Sequence, residues 1–360
     1  MTALPIVQRK GSMTATQRPA AKRWTPPRWR CATSTLAPTA WAAVQTAMLL
    51  VTRPAAAQAM STSPEAAYDL GEIPTARSVA MGGALTALGV STPALFLNPA
   101  NMALARVYHI EALGAVMPEA GRTTLGGAIV DSALNKYRLA GGIGGAWSEM
   151  DPSATNRTWT DVRLALALPL GDAFAIGAAG RWLQVNQAIS SGPFGQSFAS
   201  DGTPGGPILN TVTVDLGGTL SLGDAVRVGV VGHNLTAPGT ALAPTTAAFG
   251  IGYGTQELSL EADGMADFTT YSRVAGRAMV GGELLVAEHY PVRIGWRYDG
   301  GMHVHAASLG FGYVEATWGA ELGVRRDLLA DHGSTLFVLS LHYFYDSGGS
   351  SAPADAGDGF

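Results

Sequence analysis

The stretch Val292-Arg293-Ile294-Gly295-Trp296-Arg297-Tyr298-Asp299 alternates two kinds of side chain along the chain. Its even-numbered residues are all apolar or aromatic, and three of its four odd-numbered residues are charged. Successive side chains of a β-strand point to opposite faces of the sheet, so a period of two gives each face one character. The stretch therefore predicts a strand with an apolar face and a polar face, and helical spacing does not explain it.

Similar runs continue from Val107 to Tyr345, and we count about fourteen of them. Most are close to the roughly 9–11 residues that a tilted strand needs to cross a bilayer. The count is even, as in bacterial single-chain barrels. The predicted strands lie near 107–117, 122–131, 136–148, 158–168, 173–187, 210–222, 225–235, 246–254, 257–267, 273–286, 290–299, 303–312, 314–325 and 334–345.

The connections between these runs are sorted by length. If the first strand rises from the periplasm, the connections at the periplasmic side are short, such as 223–224, 255–256 and the single residue Tyr313. Several connections on the other side are long and rich in Gly, Pro, Ser or Asp, the longest being 188–209. Short turns on one side and long loops on the other are typical of outer-membrane barrels. A soluble β-protein is the alternative, but it has no reason to sort its loops in this way.

These patterns predict an all-β fold: a transmembrane antiparallel β-barrel of about 14 strands over residues 107–345. The apolar face of each strand is expected to meet lipid, and the polar face is expected to line the lumen. Aromatic girdles belong at the two membrane interfaces. The predicted girdle residues are Trp147, Trp159, Trp182, Trp296, Tyr298, Trp318, Tyr343 and Tyr345.

The first 59 residues have the order of a secretory signal. Residues 1–30 carry seven basic side chains and no acid, an apolar stretch covers 36–51, and Ala57-Gln58-Ala59 fits the small-residue cleavage pattern. We therefore expect residues 1–59 to be a signal peptide with an extended basic region. A retained membrane anchor is the alternative.

The tail 346–360 is rich in Gly, Ser, Ala and Asp and is expected to be disordered.

Composition excludes some functional classes. The net charge is −4 and charged residues make up only 14% of the chain, below the roughly 25% of soluble domains. No clustered basic face suggests a nucleic-acid partner.

No nucleophile elbow or zinc-protease motif occurs, so we expect no catalytic site and no cofactor. His303 and His305 share a strand face, but no third ligand can be named, and we expect no metal site.

Residues 60–106 do not alternate and contain small and apolar residues. The pair Gly82-Gly83 permits close backbone approach, and Asn98-Pro99 indicates a turn or the start of a helix. A natural place for such a segment is inside the barrel, as a plug or hatch. The hatch residues that we single out are Arg77, Met81, Gly82, Gly83, Asn98, Pro99 and Ala100.

The spacing from Arg77 and Met81-Gly82-Gly83-Ala84 to Asn98-Pro99-Ala100 resembles the N-terminal hatch of the FadL superfamily of outer-membrane transporters. The stretches 230–235, 281–284 and 293–298 are similar to its PorV/PorQ-like branch. The resemblance implies a fourteen-stranded barrel whose lumen the hatch blocks, with lateral passage of apolar ligands. Many relatives carry an acidic pair where this chain has Val90-Ser91-Thr92-Pro93.

Charged side chains occupy the polar positions of the predicted strands and have mixed sign. Inside a barrel such groups are more often paired struts than selectivity elements, because buried charges need partners. The predicted lumen-facing charges are Arg138, Arg163, Asp215, Glu261, Arg277, Glu283, Arg293, Arg297, Glu315 and Glu321.

Three functions follow as hypotheses. The first is passive transport of small hydrophobic compounds across the bacterial outer membrane. The second is a non-enzymatic barrel of the PorV type that acts in protein secretion or as an interaction protein. A barrel enzyme such as a lipase is a minor third. The expected partners are outer-membrane lipid, a hydrophobic small-molecule ligand and the outer-membrane assembly machinery.

Overall fold

The computed structural model describes residues 72–133, 138–150, 157–187, 207–328 and 333–345. The predicted signal peptide 1–59 and the predicted disordered tail 346–360 lie outside the described residues. Among the described residues, no helix is long and apolar enough to cross a membrane.

Fourteen antiparallel strands form a closed barrel in which each strand pairs with its neighbours in sequence. The first and last strands close it, in a register that runs from Tyr108 opposite Tyr345 to Val116 opposite Phe337. This confirms the predicted barrel. The strands are β1 Tyr108–Met117, β2 Arg122–Asp131, β3 Ala140–Met150, β4 Arg157–Leu170, β5 Phe174–Gln187, β6 Leu209–Leu222, β7 Val226–His233, β8 Thr246–Gly254, β9 Leu258–Asp267, β10 Ala275–Val286, β11 Tyr290–Asp299, β12 Val304–Val314, β13 Trp318–Asp327 and β14 Thr335–Tyr345.

The connections divide between two ends. The end where β1 begins and β14 finishes, called the turn end, holds three-residue connections such as 171–173 and 223–225. The opposite end, called the loop end, holds the longest connections, 188–208 and 234–245. The sorting read from the sequence is present in the structure, except that the turn-end connection 132–139 has eight residues and the loop-end connections 118–121 and 300–303 have four.

The outer surface is an apolar band. Leu125, Leu164 and Ile294 are each more than half exposed, and they represent a set of large apolar side chains on the outer face. Lipid cannot satisfy backbone polar groups, and a closed sheet satisfies them within itself. An apolar band around a closed barrel is therefore the form in which strands sit in a bilayer. Trp159 departs from the predicted girdle: it faces the lumen and is 4% exposed.

Two element boundaries differ from the prediction. β3 begins at Ala140 rather than near 136, and Arg138 precedes it with φ +59°. The turn between β12 and β13 is 315–317 rather than Tyr313. Lumen-facing residues have even numbers in β12 and odd numbers in β13, so the parity changes inside this turn. A period-two pattern does not show where such a change falls, because the residues beside the turn fit either strand.

The hatch, residues 72–105, precedes β1 and fills the lumen. It contains helix α1 Ala76–Ala80, helix α2 Thr92–Leu97 and the 3-10 helix Pro99–Ala103. Nearly all of its residues are buried. Thr75 and Ser78 form a reciprocal capping box at the N-terminus of α1.

Candidate functional site

The hatch meets the barrel wall backbone to backbone. Gly82 has φ +68° and Gly83 has φ +92°, a region that favours glycine. A Cβ on Gly82 would lie 2.9 Å from both the backbone nitrogen and the carbonyl oxygen of Trp296 on β11. Glycine is needed here for the conformation and for the close approach, which is the role the sequence suggested for this pair.

The wall supplies matching glycines, and together they form a belt around the lumen. A Cβ on Gly295 or Gly281 would overlap or crowd the backbone at Met81, and one on Gly229 would overlap the Thr86 carbonyl. The belt is spread over seven strands, so the wall fits closely against the hatch around much of its circumference. The belt glycines are Gly177, Gly217, Gly229, Gly281, Gly295, Gly310 and Gly323.

Two carboxylates on β9 hold a turn of the hatch. Asp263 accepts a hydrogen bond from the Thr86 backbone N–H at 2.9 Å. Glu261 accepts from the backbone N–H groups of Ala87 and Leu88, the latter at 3.0 Å. Three consecutive N–H groups that no helix satisfies thus find carboxyl oxygens of the wall as acceptors. A buried N–H left without an acceptor costs about 1–3 kcal/mol, so these contacts hold the turn in place.

The Asn98-Pro99-Ala100 motif anchors the end of the hatch. The Asn98 side-chain oxygen accepts from the Ala100 N–H at 3.2 Å, which caps the 3-10 helix that Pro99 opens. Its amide nitrogen donates to the Thr86 carbonyl at 2.8 Å and to Thr219 Oγ1 on β6 at 3.1 Å. One fully buried asparagine therefore ties the 3-10 helix, the preceding turn and the wall together.

A chain of ion pairs joins α1 to four strands. The Arg77 guanidinium contacts both oxygens of Glu283 on β10, at 3.1 and 3.0 Å. Glu283 also pairs with Arg293 on β11, and Arg293 donates to Glu321 on β13 at 2.8 Å. His342 on β14 lies 3.4 Å from Glu321. Opposite charges alternate along this chain, as buried charges require.

A second charge cluster lies towards the loop end. Arg181 and Arg163 both contact Asp161, at 2.6 and 3.3 Å. Arg163 also donates to the Phe96 carbonyl of the hatch at 2.7 Å. Asp215 accepts from the Asn234 backbone N–H at 2.7 Å, which holds the start of the 234–245 connection inside the lumen.

Near the loop end, Arg277 bridges wall and hatch. It lies 3.0 Å from Asp299 on β11 and also pairs with Glu72 of the hatch. Arg297 lies 3.6 Å from the same Glu72. The first described residue of the hatch is therefore held by two arginines from β10 and β11.

Two histidines form a buried pair at the seam between β1 and β14. His109 Nε2 and His342 Nδ1 lie 2.9 Å apart. His109 Nδ1 lies 2.8 Å from Ser91 Oγ and 3.2 Å from Thr92 Oγ1 in the hatch. The sequence prediction missed this pair. The alternation of β1, in which His109 and Glu111 share the lumen face, was the available signal.

Towards the loop end, apolar side chains on the inner face of the barrel pack into a buried cluster, here called the apolar layer. Its members come from β1, β3, β4, β5 and β14 and are at most 4% exposed. Ala243 of the 234–245 connection and Val79 of α1 pack against them from above and below. The apolar layer comprises Met117, Met150, Trp159, Leu183, Val185, Leu336 and Val338.

The described residues enclose a small cavity beside the hatch. This cavity of about 50 Å³ lies between the hatch and the wall formed by β4, β5 and β7–β10. Phe96, Leu97 and Met279 line one part of it, and His233 and Asn234 line another. It has room for a few water molecules. In this structure the hatch, not a channel, occupies the centre of the barrel.

Eight of the ten predicted lumen-facing charges lie on the inner face of the barrel and make the contacts described above. Arg138 and Glu315 do not. Arg138 lies in the connection before β3, 3.4 Å from the exposed Asp172. Glu315 lies in the β12–β13 turn, at the turn end of the barrel, and accepts a hydrogen bond from the Tyr313 hydroxyl. Both predictions were wrong because the two strand boundaries were misplaced.

The two histidines considered as ligands are separate from the lumen. His303 lies in the connection before β12, 3.2 Å from the Tyr298 hydroxyl, and His305 is exposed on the outer face. Within the described ranges, no three or more His, Cys, Asp or Glu residues are grouped to hold a metal ion.

No family model matches this sequence, and no curated protein matches it. Solved structures do match. The monoaromatic hydrocarbon channel CymD shares 14% identity over 78% of this chain and 99% of its own, with a TM-score of 0.59. The Ralstonia pickettii toluene transporter TbuX shares 14% identity over 78% and 100%, with a TM-score of 0.56. A Pseudomonas aeruginosa FadL homologue shares 15% over 77% and 99%, with a TM-score of 0.53. Two of these neighbours are described as a hydrocarbon channel and a toluene transporter and the third as a FadL homologue, and the likeness shows that this chain shares their fold.

Proposed function

We propose that this protein is a barrel of the bacterial outer membrane that allows small hydrophobic compounds to cross passively. The observation that carries the proposal is the apolar layer, which lies on the inner face of the barrel towards the loop end and packs with Val79 of the hatch. Open porins have a polar, water-filled interior. An apolar interior layer instead favours solutes that leave water readily.

The fold and the outer surface support the location. The apolar outer band and the closed sheet suit a bilayer, and the signal-like N-terminus fits export. The fold is that of CymD and TbuX, which are described as a monoaromatic hydrocarbon channel and a toluene transporter. We extend that substrate class to this chain as part of the proposal, together with a role for the assembly machinery in inserting the barrel.

The docked hatch argues against a permanently open pore. Among the described residues, its backbone contacts with the glycine belt leave a cavity of only about 50 Å³ beside it. Purified protein in planar bilayers should therefore show little ion conductance. A variant lacking 76–104 should show a large increase if it still migrates as a folded barrel on an unboiled gel. Equal conductance of the two folded proteins would contradict a plugging hatch.

Uptake of a radiolabelled monoaromatic hydrocarbon into cells tests transport directly. Cells that carry the chain should accumulate the compound faster than cells that carry an unrelated barrel of the same abundance. A hydrophilic sugar of similar size serves as the control and should enter both at one rate. Equal hydrocarbon uptake would overturn the proposal.

The filled lumen also supports a second candidate, the non-enzymatic PorV-type role in protein secretion. A cavity of about 50 Å³ is smaller than a solute-binding pocket, and ion pairs occupy much of the interior. This role predicts that the barrel is recovered in a larger outer-membrane complex and that its deletion leaves hydrocarbon uptake unchanged. Normal uptake with loss of a secreted protein would favour it over transport.

A further inference from the structure

Two polar side chains lie side by side on the wall of the cavity beside the hatch. His233 ends β7 and Thr246 begins β8, and the two residues are paired directly in the sheet. Both of them line the cavity. Directly opposed residues of an antiparallel pair have Cβ atoms about 4.5–5.5 Å apart. The imidazole and the hydroxyl can therefore reach the same small polar group inside the cavity.

The neighbouring strand β6 fixes the orientation of the imidazole. His233 Nδ1 lies 3.1 Å from Asp215 Oδ2, and the other oxygen of Asp215 accepts from the Asn234 backbone N–H. A carboxylate accepts hydrogen bonds, so Nδ1 carries the hydrogen and the neutral ring keeps Nε2 as an acceptor. Among the described residues, neither His233 Nε2 nor the Thr246 hydroxyl has a hydrogen-bond partner. Two polar atoms of the cavity wall are therefore available to a ligand.

The other side of the cavity is apolar. Phe96 and Leu97 of α2 line it together with Met265 and Met279 of the wall. The Arg163 guanidinium donates to the Phe96 carbonyl at 2.7 Å and lies 5.6 Å from the centroid of its ring, so this part of the hatch is held in place. Methionine is unbranched and has three rotatable bonds, so it adapts to its surroundings. The cavity can therefore widen to admit a small ring while the hatch stays docked.

The charges around the cavity are balanced. Arg163 and Arg181 line it, and both of them pair with Asp161. Asp215 lies 3.7 Å from Arg163, so two anions match the two cations. Glu72, which also lines the cavity, is held by the two arginines of β10 and β11 described above. An anionic ligand would have to compete with these carboxylates, whereas a neutral hydroxyl needs no counter-ion.

We propose that this cavity recognises hydroxylated aromatic compounds, and that His233 and Thr246 select them over plain hydrocarbons. The hydroxyl of phenol donates to His233 Nε2 and accepts from the Thr246 hydroxyl. The ring packs on Phe96, Leu97 and the two methionines. Toluene has nearly the same shape, but its methyl group leaves both polar atoms without a bond, which disfavours it. A site that hydrogen-bonds a hydroxyl discriminates against the analogue that lacks one.

This selection narrows the class of solute that the barrel admits, and in that respect it rests on the proposed function. Arg181 of the cavity and Leu183 of the apolar layer are successive lumen-facing residues of β5. The apolar layer and the cavity are therefore neighbours along one strand. A solute that enters through the layer meets the polar pair next.

Equilibrium dialysis of the purified full-length barrel in detergent tests the site without any transport assay. Radiolabelled phenol, toluene and benzoate are compared, and the uptake of each by empty micelles is subtracted. Phenol should bind at one site per barrel, about tenfold or more tightly than toluene. Equal affinity for phenol and toluene would overturn the proposal. Tighter binding of benzoate would also overturn it, because the cavity would then be a site for anions.

The Thr246 hydroxyl can be removed with little change of shape. In Thr246→Val the affinity for phenol should fall about three- to tenfold, while the affinity for toluene stays the same or rises. Thr246→Ser restores the hydroxyl and should restore the preference for phenol. Thr123→Val, exposed on the outer face of β2, is the matched control and should bind like the wild type. An undiminished preference for phenol in a folded Thr246→Val barrel would contradict recognition by the pair.

His233→Phe tests the other member of the pair, because it keeps a ring but has no nitrogen. The preference should be reversed, with toluene bound more tightly than phenol. Migration on an unboiled gel shows whether the variant folds after Asp215 loses this partner. If it does not fold, Thr246→Val and its serine counterpart carry the test. A wild-type preference for phenol in a folded His233→Phe barrel would rule out the imidazole as the acceptor and overturn the proposal.

The two proposals fail separately. If the barrel binds phenol selectively but cells take up neither phenol nor the hydrocarbon faster than the control cells, the site stands and transport falls. If hydrocarbon uptake is faster but the barrel binds phenol and toluene equally, transport stands and the site falls.

Discussion

The guanidinium of Arg77 on the hatch and the carboxylate of Glu283 on β10 form a two-point contact across the lumen, at 3.1 and 3.0 Å. Glu283 is shared with Arg293, so hatch and wall belong to one charge network. The hatch is therefore attached to the barrel by charge as well as by shape.

Removing one side of this contact should destabilise the barrel. Arg77→Met leaves Glu283 with one cation instead of two in a buried site. Breaking a fully buried ion pair lowers the free energy of unfolding by about 3–5 kcal/mol. Because Arg293 still pairs with Glu283 in this variant, we expect a smaller loss of about 1–3 kcal/mol. The midpoint of thermal unfolding, followed by unboiled gel migration, should fall by several degrees.

The exposed pair Arg138–Asp172 is the matched control for that experiment. Its side chains are 42% and 103% exposed, so water and salt screen the attraction. Arg138→Met should leave the midpoint within error of the wild type. Equal shifts in the two variants would mean that the Arg77 contact contributes no more than a surface pair.

A side chain in the glycine belt should displace the hatch. Gly295→Val places a branched side chain against the backbone of Met81 and Gly82, which cannot move without leaving the wall. The folded fraction should drop severely, or the folded remainder should conduct ions. The measurement is gel migration together with conductance in planar bilayers.

Gly180→Ala provides the comparison on the outer face, since a Cβ there meets nothing within 4 Å. It should insert and migrate like the wild type. If Gly295→Val were equally well tolerated, with no conductance, the close fit of hatch and wall would not matter for the barrel.

The Glu261 carboxylate should govern the exchange of the hatch turn. In Glu261→Gln, one carboxylate oxygen becomes an NH2 group that faces a backbone N–H, so one of the bonds to Ala87 and Leu88 is lost. Loss of about 1–3 kcal/mol corresponds to roughly a five- to hundredfold loss of protection at 86–88. Hydrogen exchange measures it. Glu257→Gln, in the exposed β8–β9 turn, should leave that protection unchanged; the same loss in both variants would refute the specific contact.

A polar group in the apolar layer should slow transport without affecting assembly. Leu183→Asn places an amide among Met150, Trp159 and Leu336, where a hydrocarbon would lose favourable surroundings. Hydrocarbon uptake should fall about tenfold or more at equal abundance in the membrane, on the basis of about 1.4 kcal/mol per factor of ten. Gln184→Asn, at the next position and outside the layer, should retain wild-type uptake. Unaltered uptake in Leu183→Asn would exclude the layer from the route.

The alternation along the strands was sufficient to predict the barrel. Each lipid-facing position must be apolar, and each lumen-facing position tolerates charge. The alternation is therefore visible in the sequence of each strand by itself. Residues 292–299 show it in eight positions, and β11 covers Tyr290–Asp299. The turn between β12 and β13 could not be placed, because parity alone does not locate a turn whose flanking residues fit both strands.

The hatch was marked in the sequence by its glycines, its asparagine–proline motif and its lack of alternation. The sequence did not indicate the partners of these residues. Arg77 and Glu283 are 206 residues apart in the sequence and meet only when the barrel closes. The same holds for His109 and His342, which are brought together because β1 pairs with β14. A period-two pattern determines which face a side chain occupies; only closure of the sheet, with its fixed register, decides which side chains it faces across the lumen.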